Sequence, residues 1–515
     1  MKVMLINPES PMSYWSFPEQ MKLTGARTLL PPLGLITVAA LLPQDWEIRL
    51  VDLMAQPVSD LDLSWPDVVM ITGMYIHKKS MISLIQESRK RNRTVVVGGP
   101  YASSVPQELL SVGCDFVVRG EAENTVSLLL ESLKSGSGPQ VIENPEKPDL
   151  TESPIPRFDL IDFRNYSTIG IQTSRGCPFD CEFCDIVNLY GSLPRYKSPQ
   201  QVVKELDTIY RRGWRDVVFI CDDNFIGSKK HAKGLLKEMN LWMKSNSSPF
   251  SFMTQASINL GQDLELIDLM TEPNFSTVFI GLESPDENVL ASANKFQNIR
   301  NPLEESIDNI NRNGMTVLGS FILGLDGEQT GVGARISSFV DRTNLPVVMF
   351  NKLEVTPKTK LWDRLETEGR LRRDVEIGDY LVGEMNFVAS RPQEEIQREF
   401  VQCWDSVYET SNFLRRTYNY YLRMRPTRKA MGTSSGSSPA KTQQFDISRF
   451  ISDIKKFIRL CWRQGALSES RIQFWKQLVG ILRKNPSRLI PYLTACSLGE
   501  DMFRIRQEVL KKSRS

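Results

Sequence analysis

Short apolar runs alternate with amphipathic stretches along the first 135 residues. Five runs rich in valine, isoleucine and leucine have the length of buried strands, and the stretches between them repeat apolar residues with a helical period. Apolar strands separated by helices are typical of a parallel sheet covered on both faces. We therefore predict a doubly wound, Rossmann-like α/β domain over residues 1–135. The predicted strands are 2–6, 47–51, 67–71, 94–98 and 115–119, and the clearest predicted helices are 33–42 and 79–91.

The alternation stops at residues 136–168, where proline, glutamate and serine predict a surface linker. It resumes over residues 169–390 with six further strands. Six βα units in roughly 190 residues favour an open, partial (β/α)6 barrel, because a complete eightfold barrel usually needs about 250 residues. The predicted strands are 168–173, 216–221, 250–255, 277–282, 316–323 and 347–355, and the helices between them include 199–211, 229–243, 264–270 and 304–313.

Residues 391–515 predict an α-helical extension. The stretch 392–424 is rich in glutamate, glutamine and arginine, and residues 431–444 form a low-complexity segment that we interpret as a flexible linker. After this linker, apolar residues with helical spacing indicate about three amphipathic helices.

Composition narrows the functional classes. The chain has 515 residues, 41% hydrophobic and 24% charged, which is ordinary for a folded soluble protein. No segment approaches the ~20 apolar residues of a membrane helix, and the apolar start of the chain is too short for an export signal, so we predict a cytoplasmic protein. The net charge of +2 gives no sign of a nucleic-acid partner.

The charge is unevenly distributed, because Phe445–Ser515 contains 15 Lys or Arg and 6 Asp or Glu. Apolar residues recur there at helical spacing, at Phe450, Ile454, Phe457, Ile458 and Cys461. A basic amphipathic helix can make a peripheral contact with an anionic membrane. Alternatively, the helix packs its apolar face on the barrel and leaves its cations in water, and we favour this second interpretation.

Three cysteines, Cys177, Cys181 and Cys184, lie in one loop with glycine and proline, directly after a predicted strand. Three thiolates on a tight loop can bind three irons of a [4Fe–4S] cluster and leave the fourth iron open. Zinc is the competing ligand, but a structural zinc site normally has four protein ligands, and the only two histidines, His77 and His231, lie elsewhere. We therefore predict an iron–sulfur cluster. Cys221 could add a fourth thiol, although a cysteine at a strand end more often serves packing.

The Cys-x3-Cys-x2-Cys spacing, with Phe183 before the last cysteine, resembles the signature of the radical S-adenosylmethionine (SAM) superfamily. The segments 219–225, 279–284 and 319–324 resemble the strands that contact SAM in that family. The resemblance implies a partial (β/α)6 barrel in which SAM binds the open iron and is cleaved to a 5′-deoxyadenosyl radical. It also implies that SAM is contacted by Phe183, Asp222, Asp223, Glu283 and Gly324.

The first domain is similar to the cobalamin-binding domain of B12-dependent radical SAM enzymes, on segments 5–8, 31–35, 98–100 and 117–121. One motif departs from the pattern. The Asp-x-His-x-x-Gly motif that supplies a histidine to cobalt is missing, since Asp52 is present but no histidine follows it; His77 lies outside the motif, and we interpret it as a residue at a helix start. The resemblance places cobalamin at the carboxyl ends of the strands, near Asn7, Thr72, Gly73, Gly98, Gly99, Gly120 and Glu121.

The order of cobalamin domain, barrel and helical extension is similar to that of the group containing the hopanoid C-2 methylases. This similarity implies methylation of an unactivated carbon in a small-molecule or lipid-like substrate, with electrons from a reductase or flavodoxin-type donor. Two alternatives stay open: a B12-dependent radical cyclisation or ring rearrangement without methyl transfer, and a non-catalytic cobalamin- or cluster-binding regulator. Modification of a nucleic acid is disfavoured, because Cys114 is the only cysteine before Cys177.

Overall fold

Two parallel sheets and a helical region follow one another along the chain. The computed structural model describes residues 1–57, 61–136, 138, 140–378, 383–432 and 447–513, with no description of the side chains of 447–453. Among these residues, no helix is both long and apolar enough to cross a membrane.

The first sheet has six parallel strands in the order 2-1-3-4-5-6. All five predicted strands are confirmed, and helices cover both faces of the sheet as predicted. The elements are β1 (Lys2–Asn7), α1 (Pro18–Thr24), α2 (Leu33–Leu41), β2 (Glu47–Asp52), β3 (Val68–Thr72), α3 (Lys78–Lys90), β4 (Thr94–Gly98), α4 (Pro100–Ser104), α5 (Pro106–Val112), β5 (Phe116–Arg119), α6 (Ala122–Ser135) and β6 (Gln140–Glu143).

The strands of this sheet are apolar almost without interruption because each serves two cores. Along β1, Met4 and Ile6 belong to one buried cluster, whereas Val3 and Leu5 belong to another on the opposite face. A strand whose two faces are both covered cannot alternate apolar and polar residues, which explains the pattern in the sequence.

The prediction of a linker over residues 136–168 was wrong at β6, which pairs in parallel with β5 at the edge of the sheet. The strand is only four residues long and begins and ends with polar residues, so it gives no apolar run. Three short 3-10 helices follow, at Leu150–Glu152, Phe158–Leu160 and Phe163–Asn165. The segment is therefore structured where the sequence indicated a surface linker.

The second sheet also has six parallel strands, and the predicted partial barrel is confirmed. Its strands lie side by side in chain order, each joined to the next by a helical connection. The elements are β7 (Ile169–Ile171), β8 (Ser174–Arg175), α7 (Ile186–Tyr190), β9 (Arg195–Tyr196), α8 (Pro199–Arg211), β10 (Val217–Ile220), α9 (Lys229–Ser245), β11 (Ser251–Gln255), α10 (Leu264–Thr271), β12 (Phe275–Glu283), α11 (Glu287–Ser292), α12 (Phe296–Ile299), α13 (Leu303–Arg312), β13 (Thr316–Leu323), α14 (Val332–Thr343), β14 (Val347–Lys352) and α15 (Lys360–Thr367). Of these strands, β8 and β9 form a separate antiparallel pair.

The predicted helical extension is confirmed over its described residues, and the predicted flexible linker at 431–444 lies outside them from residue 433 onwards. The first two helices of the extension are bound to the second sheet, because the buried hydroxyls of Tyr408 and Tyr420 accept hydrogen bonds from the backbone amides of Val348 and Val317, both at 2.8 Å. A short π-helix covers Arg463–Leu467. The helices are α16 (Gln393–Val407), α17 (Thr410–Arg423), α18 (Ile447–Trp462), α19 (Arg471–Lys484) and α20 (Leu489–Lys512).

The favoured interpretation of the basic tail, in which the apolar face of α18 packs on the barrel, was wrong for three of its five residues, whereas Cys461 does pack against the core. Ile454, Phe457 and Ile458 are 40–59% exposed. The helix contacts the rest of the molecule through a different side, where Leu460 is buried and Arg459 donates hydrogen bonds to backbone carbonyls of α1. Apolar residues at helical spacing thus did not reveal which side of the helix is covered.

Candidate active site

The loop that carries the three cysteines is held by one buried carboxylate. Asp222, directly after β10, accepts hydrogen bonds from the backbone amides of Thr173 and Ser174 at 2.6 and 3.0 Å. It also accepts hydrogen bonds from both hydroxyls of these residues. Burial raises the pKa of Asp222, and the hydrogen bonds counteract this increase. All of these bonds fix the start of the cysteine loop to the neighbouring strand.

A tight turn follows and directs the chain toward the first cysteine. Gly176 has φ +94°, and a Cβ there would lie 2.9 Å from the carbonyl oxygen of Gly191. Its amide donates to Asp223 at 2.9 Å, and burial raises the pKa of this carboxyl to about 6. The turn requires glycine both for its backbone conformation and for this close approach.

The three cysteines are free thiols in the loop after this turn. Cys181 is 9% exposed, and Cys177 and Cys184 are half-buried. Within the described part of the chain, no three His, Cys, Asp or Glu side chains converge on a point suited to one metal ion. A [4Fe–4S] cube needs no such convergence, since each thiolate binds a different iron.

Two amide side chains approach the sulfurs, and sequence reasoning missed both. Gln297, which is 7% exposed, donates its Nε2 group to the Sγ atom of Cys181 at 3.5 Å. Asn224 directs its Nδ2 group to the Sγ atom of Cys177 at 4.0 Å. Hydrogen bonds to the sulfurs stabilise the negative charge of a cluster, so this donor set suits one. Gln297 lies on a four-residue helix, which gives no signal in the sequence.

Glu283 and Phe183, two residues predicted to contact SAM, meet at one lysine. Lys295 forms an ion pair with Glu283 at 2.8 Å, and its Nζ atom lies 5.8 Å from the centre of the Phe183 ring. Glu283 adopts φ +63°, a backbone conformation that is uncommon for residues other than glycine. The carboxylate of Glu283 and the cysteine loop are therefore joined by a cation that sequence analysis did not identify.

Gly324, the fifth residue predicted to contact SAM, directly follows β13. Its amide donates to Oε2 of Glu328 at 2.8 Å, so this donor is already engaged within the protein. Glu328 is buried, and burial raises its pKa to about 7 although Arg391 lies 3.2 Å away.

A cavity of about 330 Å³ lies between the carboxyl ends of the first sheet and the beginning of the barrel. Five of the seven residues predicted to bind cobalamin line it, and apolar residues of α2 and α6 complete its wall. A Cβ at Gly99 would collide with the hydroxyl of Thr72, so the narrow turn there requires glycine. The five residues are Thr72, Gly98, Gly99, Gly120 and Glu121.

The other two predicted residues do not line this cavity. Asn7 donates to Asp52 at 2.8 Å, and Asp52 also accepts a hydrogen bond from the Tyr166 hydroxyl at 3.0 Å. Gly73 packs against Met81 and His77. His77 occupies the N-cap position of α3, which confirms its interpretation as a residue at a helix start, and its Nδ1 atom accepts a hydrogen bond from the amide of Met74.

A buried ion-pair cluster connects the first domain to the cysteine loop. Arg175, two residues before Cys177, forms ion pairs with Glu121 at 2.7 Å and Glu123 at 2.8 Å. Arg195 forms a second ion pair with Glu121 at 2.7 Å. The sequence segment around the cysteines contained Arg175, but nothing in it indicated partners more than 50 residues away. The cluster fixes the cavity relative to the loop.

Family comparisons divide the chain in the same way. Residues 23–130 match the B12 binding domain, residues 171–330 match the Radical SAM superfamily, and residues 359–515 match a domain of unknown function (DUF4070). The cavity lies within the B12-type region and its border with the barrel, and the cysteine loop lies at the start of the radical SAM region.

Relatives match over nearly the whole length. The chain is 42% identical to the uncharacterized methyltransferase sll1242 of Synechocystis, over 99% of this chain and 92% of that one. It is 30% identical to the hopanoid C-2 methylase of Rhodopseudomonas palustris, over 92% and 88%. The structure of the cobalamin-dependent SAM radical enzyme OxsB with aqua-cobalamin shares the fold, with a TM-score of 0.61, 16% identity, and coverage of 99% and 81%. With both domain types in order and full-length relatives of this kind, the chain belongs to the family of cobalamin-dependent radical SAM methyltransferases.

Proposed function

We propose that the enzyme methylates an unactivated carbon of a lipid-like or small apolar substrate. The observation that carries this proposal is an aromatic group at the second sheet. Trp15 is 41% exposed and its ring lies 5.2 Å from that of Phe279 on β12. The adjacent Tyr14 donates its hydroxyl to Asn351 on β14. Exposed aromatic rings with a few polar groups are typical of sites for apolar ligands.

We assign Cys177, Cys181 and Cys184 to the [4Fe–4S] cluster, with Gln297 and Asn224 as donors to the thiolates. When bound, the cluster and cobalamin supply the electron that cleaves SAM and the methyl group that is transferred. The chain's own residues hold the loop in place through Asp222. They also exclude water from one sulfur, because Cys181 is almost completely buried.

We assign SAM to Phe183, Asp223, Glu283 and the backbone of Gly324, and cobalamin to a site that includes the lining of the 330 Å³ cavity. Asp222 has a different proposed role from the sequence prediction, since its oxygens already serve the cysteine loop. Asp223 has only one hydrogen bond of this kind, from Gly176, and keeps acceptor capacity for an amino group.

The relative named as a hopanoid C-2 methylase makes a polycyclic hydrocarbon the first substrate class to test. We further propose a cytoplasmic enzyme that receives electrons from a reductase or a flavodoxin-type donor. The half-buried positions of Cys177 and Cys184 support this, because an electron donor can approach a cluster on that side. A nucleic acid is not among the proposed partners.

The test is anaerobic reconstitution with iron, sulfide and hydroxocobalamin, followed by incubation with SAM, reductant and a hopanoid. We expect a product heavier by one methylene group, together with deoxyadenosine and S-adenosylhomocysteine. The variant Trp15→Ala should raise KM for the hydrocarbon at least about tenfold, because the ring contributes apolar contact area. Trp65→Ala is the matched control, since Trp65 packs against Arg49 in the other domain.

Each alternative function gives a different result in this assay. Deoxyadenosine without a methylated product would favour a radical cyclisation or ring rearrangement. A retained cluster and corrin without any deoxyadenosine would favour a regulator. Equal KM values for Trp15→Ala and Trp65→Ala would contradict the assignment of the aromatic group to the substrate.

A further inference from the structure

Large apolar side chains are exposed along two adjacent helices of the extension. They are between 40% and 67% exposed, in a protein whose other apolar side chains are mostly buried. We call this surface the C-terminal apolar face. Its residues are Ile454, Phe457, Ile458 and Trp462 on α18, Leu467 in the π-helix, and Ile472, Trp475, Val479 and Leu482 on α19.

The exposed residues form continuous stripes. On α19 they recur at intervals of three and four residues, whereas Phe474, Leu478 and Ile481 on the adjacent side are buried. Each helix therefore has one apolar side in the core and a second one in solvent, which a helix on the surface of a globular protein does not need. Trp475 joins the stripes, because its Nε1 group donates to the carbonyl of Gly465 in the π-helix at 2.8 Å.

Basic residues surround this face. Residues 454–484 contain eight Lys or Arg and a single acid, Glu469. Lys476 and Arg483 are exposed and share the outward side of α19, since they follow Ile472 and Val479 by four residues each. Arg459 and Arg463 bind α1 and do not face the proposed surface. Lys476 and Arg483 therefore border the apolar stripe of α19.

We propose that the C-terminal apolar face docks on the surface of an anionic lipid bilayer. Apolar and tryptophan side chains enter the interface between headgroups and acyl chains, while lysine and arginine bind the headgroups. The inference deepens the proposed function and rests on it for its purpose, since a lipid-like substrate is reached from a membrane.

Two other occupants fit the face less well. A second copy of the chain would place the same cations opposite each other, and like charges across an interface oppose association. The segment 433–446 of this chain, which lies outside the described residues, has Phe445 as its only large apolar residue. One apolar side chain is too few to cover the nine exposed side chains of the C-terminal apolar face.

The docking face is connected to the aromatic group at the barrel through α1. Arg459 of α18 donates to the carbonyl of Lys22 at 2.9 Å, and Asp501 of α20 accepts from the first amides of α1, those of Glu19 and Gln20, at 2.7 and 2.9 Å. The residues immediately before α1 include Trp15. A bilayer at this face is thus separated from the proposed substrate contact by one short helix.

The experiment is cosedimentation of the reconstituted full-length holoenzyme with vesicles, compared between pure phosphatidylcholine and a mixture with phosphatidylglycerol. We expect binding to the anionic vesicles that weakens as salt is added. The triple variant Ile472→Ser, Trp475→Ser, Val479→Ser should bind at least about tenfold more weakly, because it removes three apolar contacts with the interface. The triple variant Lys476→Gln, Arg483→Gln, Lys484→Gln should lose the preference for anionic lipid.

The matched control is Leu193→Ser, Leu241→Ser, Leu264→Ser, which removes three side chains that are 56–81% exposed on the barrel domain. This control should bind vesicles as the parent enzyme does. Equal binding by the parent and both face variants would overturn the proposal. So would a dimer in solution that the Ile472, Trp475 and Val479 substitutions dissociate, since the face would then bind a second copy.

The same preparations separate this proposal from the methylation proposal. Vesicle binding that persists without any methylated product contradicts the proposed reaction alone. Methylation of a detergent-dispersed substrate by a parent enzyme that never sediments with vesicles contradicts the docking surface alone.

Discussion

The cysteine loop and the cavity of the first domain are built in opposite ways. The loop is fixed by directional polar contacts, with Asp222 serving four donors on two adjacent residues. The cavity is formed mainly by small and apolar residues, and its glycines contribute space. A small reactive group needs defined atoms at defined positions, whereas a large macrocycle needs room and a complementary surface. Removing one contact should therefore destabilise the cysteine loop. Adding a side chain inside the cavity should instead prevent ligand binding there.

The largest effect is expected for Asp222→Ala, which removes the acceptor of four buried hydrogen bonds. Unpaired buried donors cost about 1–3 kcal/mol each and partly relax, so we expect the free energy of unfolding to fall by roughly 3–5 kcal/mol. Iron per chain after reconstitution should fall with it. Urea unfolding and iron analysis measure these two quantities. Asp223→Ala is the comparison, because it leaves a single donor unpaired. If Asp223→Ala lowered the free energy of unfolding as much as Asp222→Ala, the four bonds of Asp222 would not be what fixes the loop.

A pH dependence is expected next, from Glu328 in the loop after β13. Its pKa of about 7 in the folded protein exceeds the ordinary value of 4.5 because of burial. The folded state therefore favours the protonated form, and its contribution to stability is full below pH 4.5 and is lost as the pH rises through 7. We expect a loss of about 3 kcal/mol over this range.

The variant Glu328→Gln should show a flatter profile, because the amide does not ionise. Urea unfolding between pH 4.5 and 8 is the measurement, with Glu131→Gln on the surface helix α6 as the control. An identical slope in Glu328→Gln and the parent protein would exclude Glu328 as the titrating group.

The variant Gly98→Leu tests the expectation that added side-chain volume prevents binding in the cavity. A Cβ at Gly98 meets nothing closer than 3.8 Å, so the backbone tolerates a side chain that projects into the cavity. We expect cobalamin retention to fall at least about tenfold, since filling a preformed site removes the ligand's space, while iron content stays unchanged. Gly234→Leu on α9, where a Cβ also meets nothing, is the control. Corrin retained by Gly98→Leu after gel filtration would refute the cavity as the cobalamin site.

The smallest effect is expected for Gln297→Leu, which removes one hydrogen bond to the Cys181 sulfur. A net hydrogen-bond energy of about 0.5–1.5 kcal/mol corresponds to a decrease of roughly 20–60 mV in the one-electron reduction potential of the cluster. Redox titration followed by electron paramagnetic resonance measures this shift. Asn301→Leu is the control, because Asn301 bonds to the backbone of the same segment but not to a sulfur. A potential that stays constant would show that the amide does not reach the cluster.

The sequence predicted the two parallel sheets because apolar strands and amphipathic helices carry periodic signals. It also located the three cysteines and five residues that line the cavity, since spacing and strand-end glycines are local features. It did not reveal Arg175 with Glu121 and Glu123, nor Gln297 beside Cys181, because those contacts join distant segments. Asp222 was correctly placed near the site, but its partners depend on how β7 and β10 pair. Which side of α18 is buried also depends on tertiary packing, so the sequence did not reveal it.

The hydrogen bonds that Asp501 and Arg459 form with α1 have a consequence for the timing of folding. During synthesis, residues 18–24 leave the ribosome long before Asp501, which accepts their first amides, and before Arg459, which binds their last carbonyls. The aromatic residues that precede α1 therefore receive their final support only after almost the whole polypeptide has been translated. Both sheets can form earlier, since their strands are complete by residue 352. Cofactor sites can thus mature on a nascent chain while the proposed substrate contact waits for the last helix.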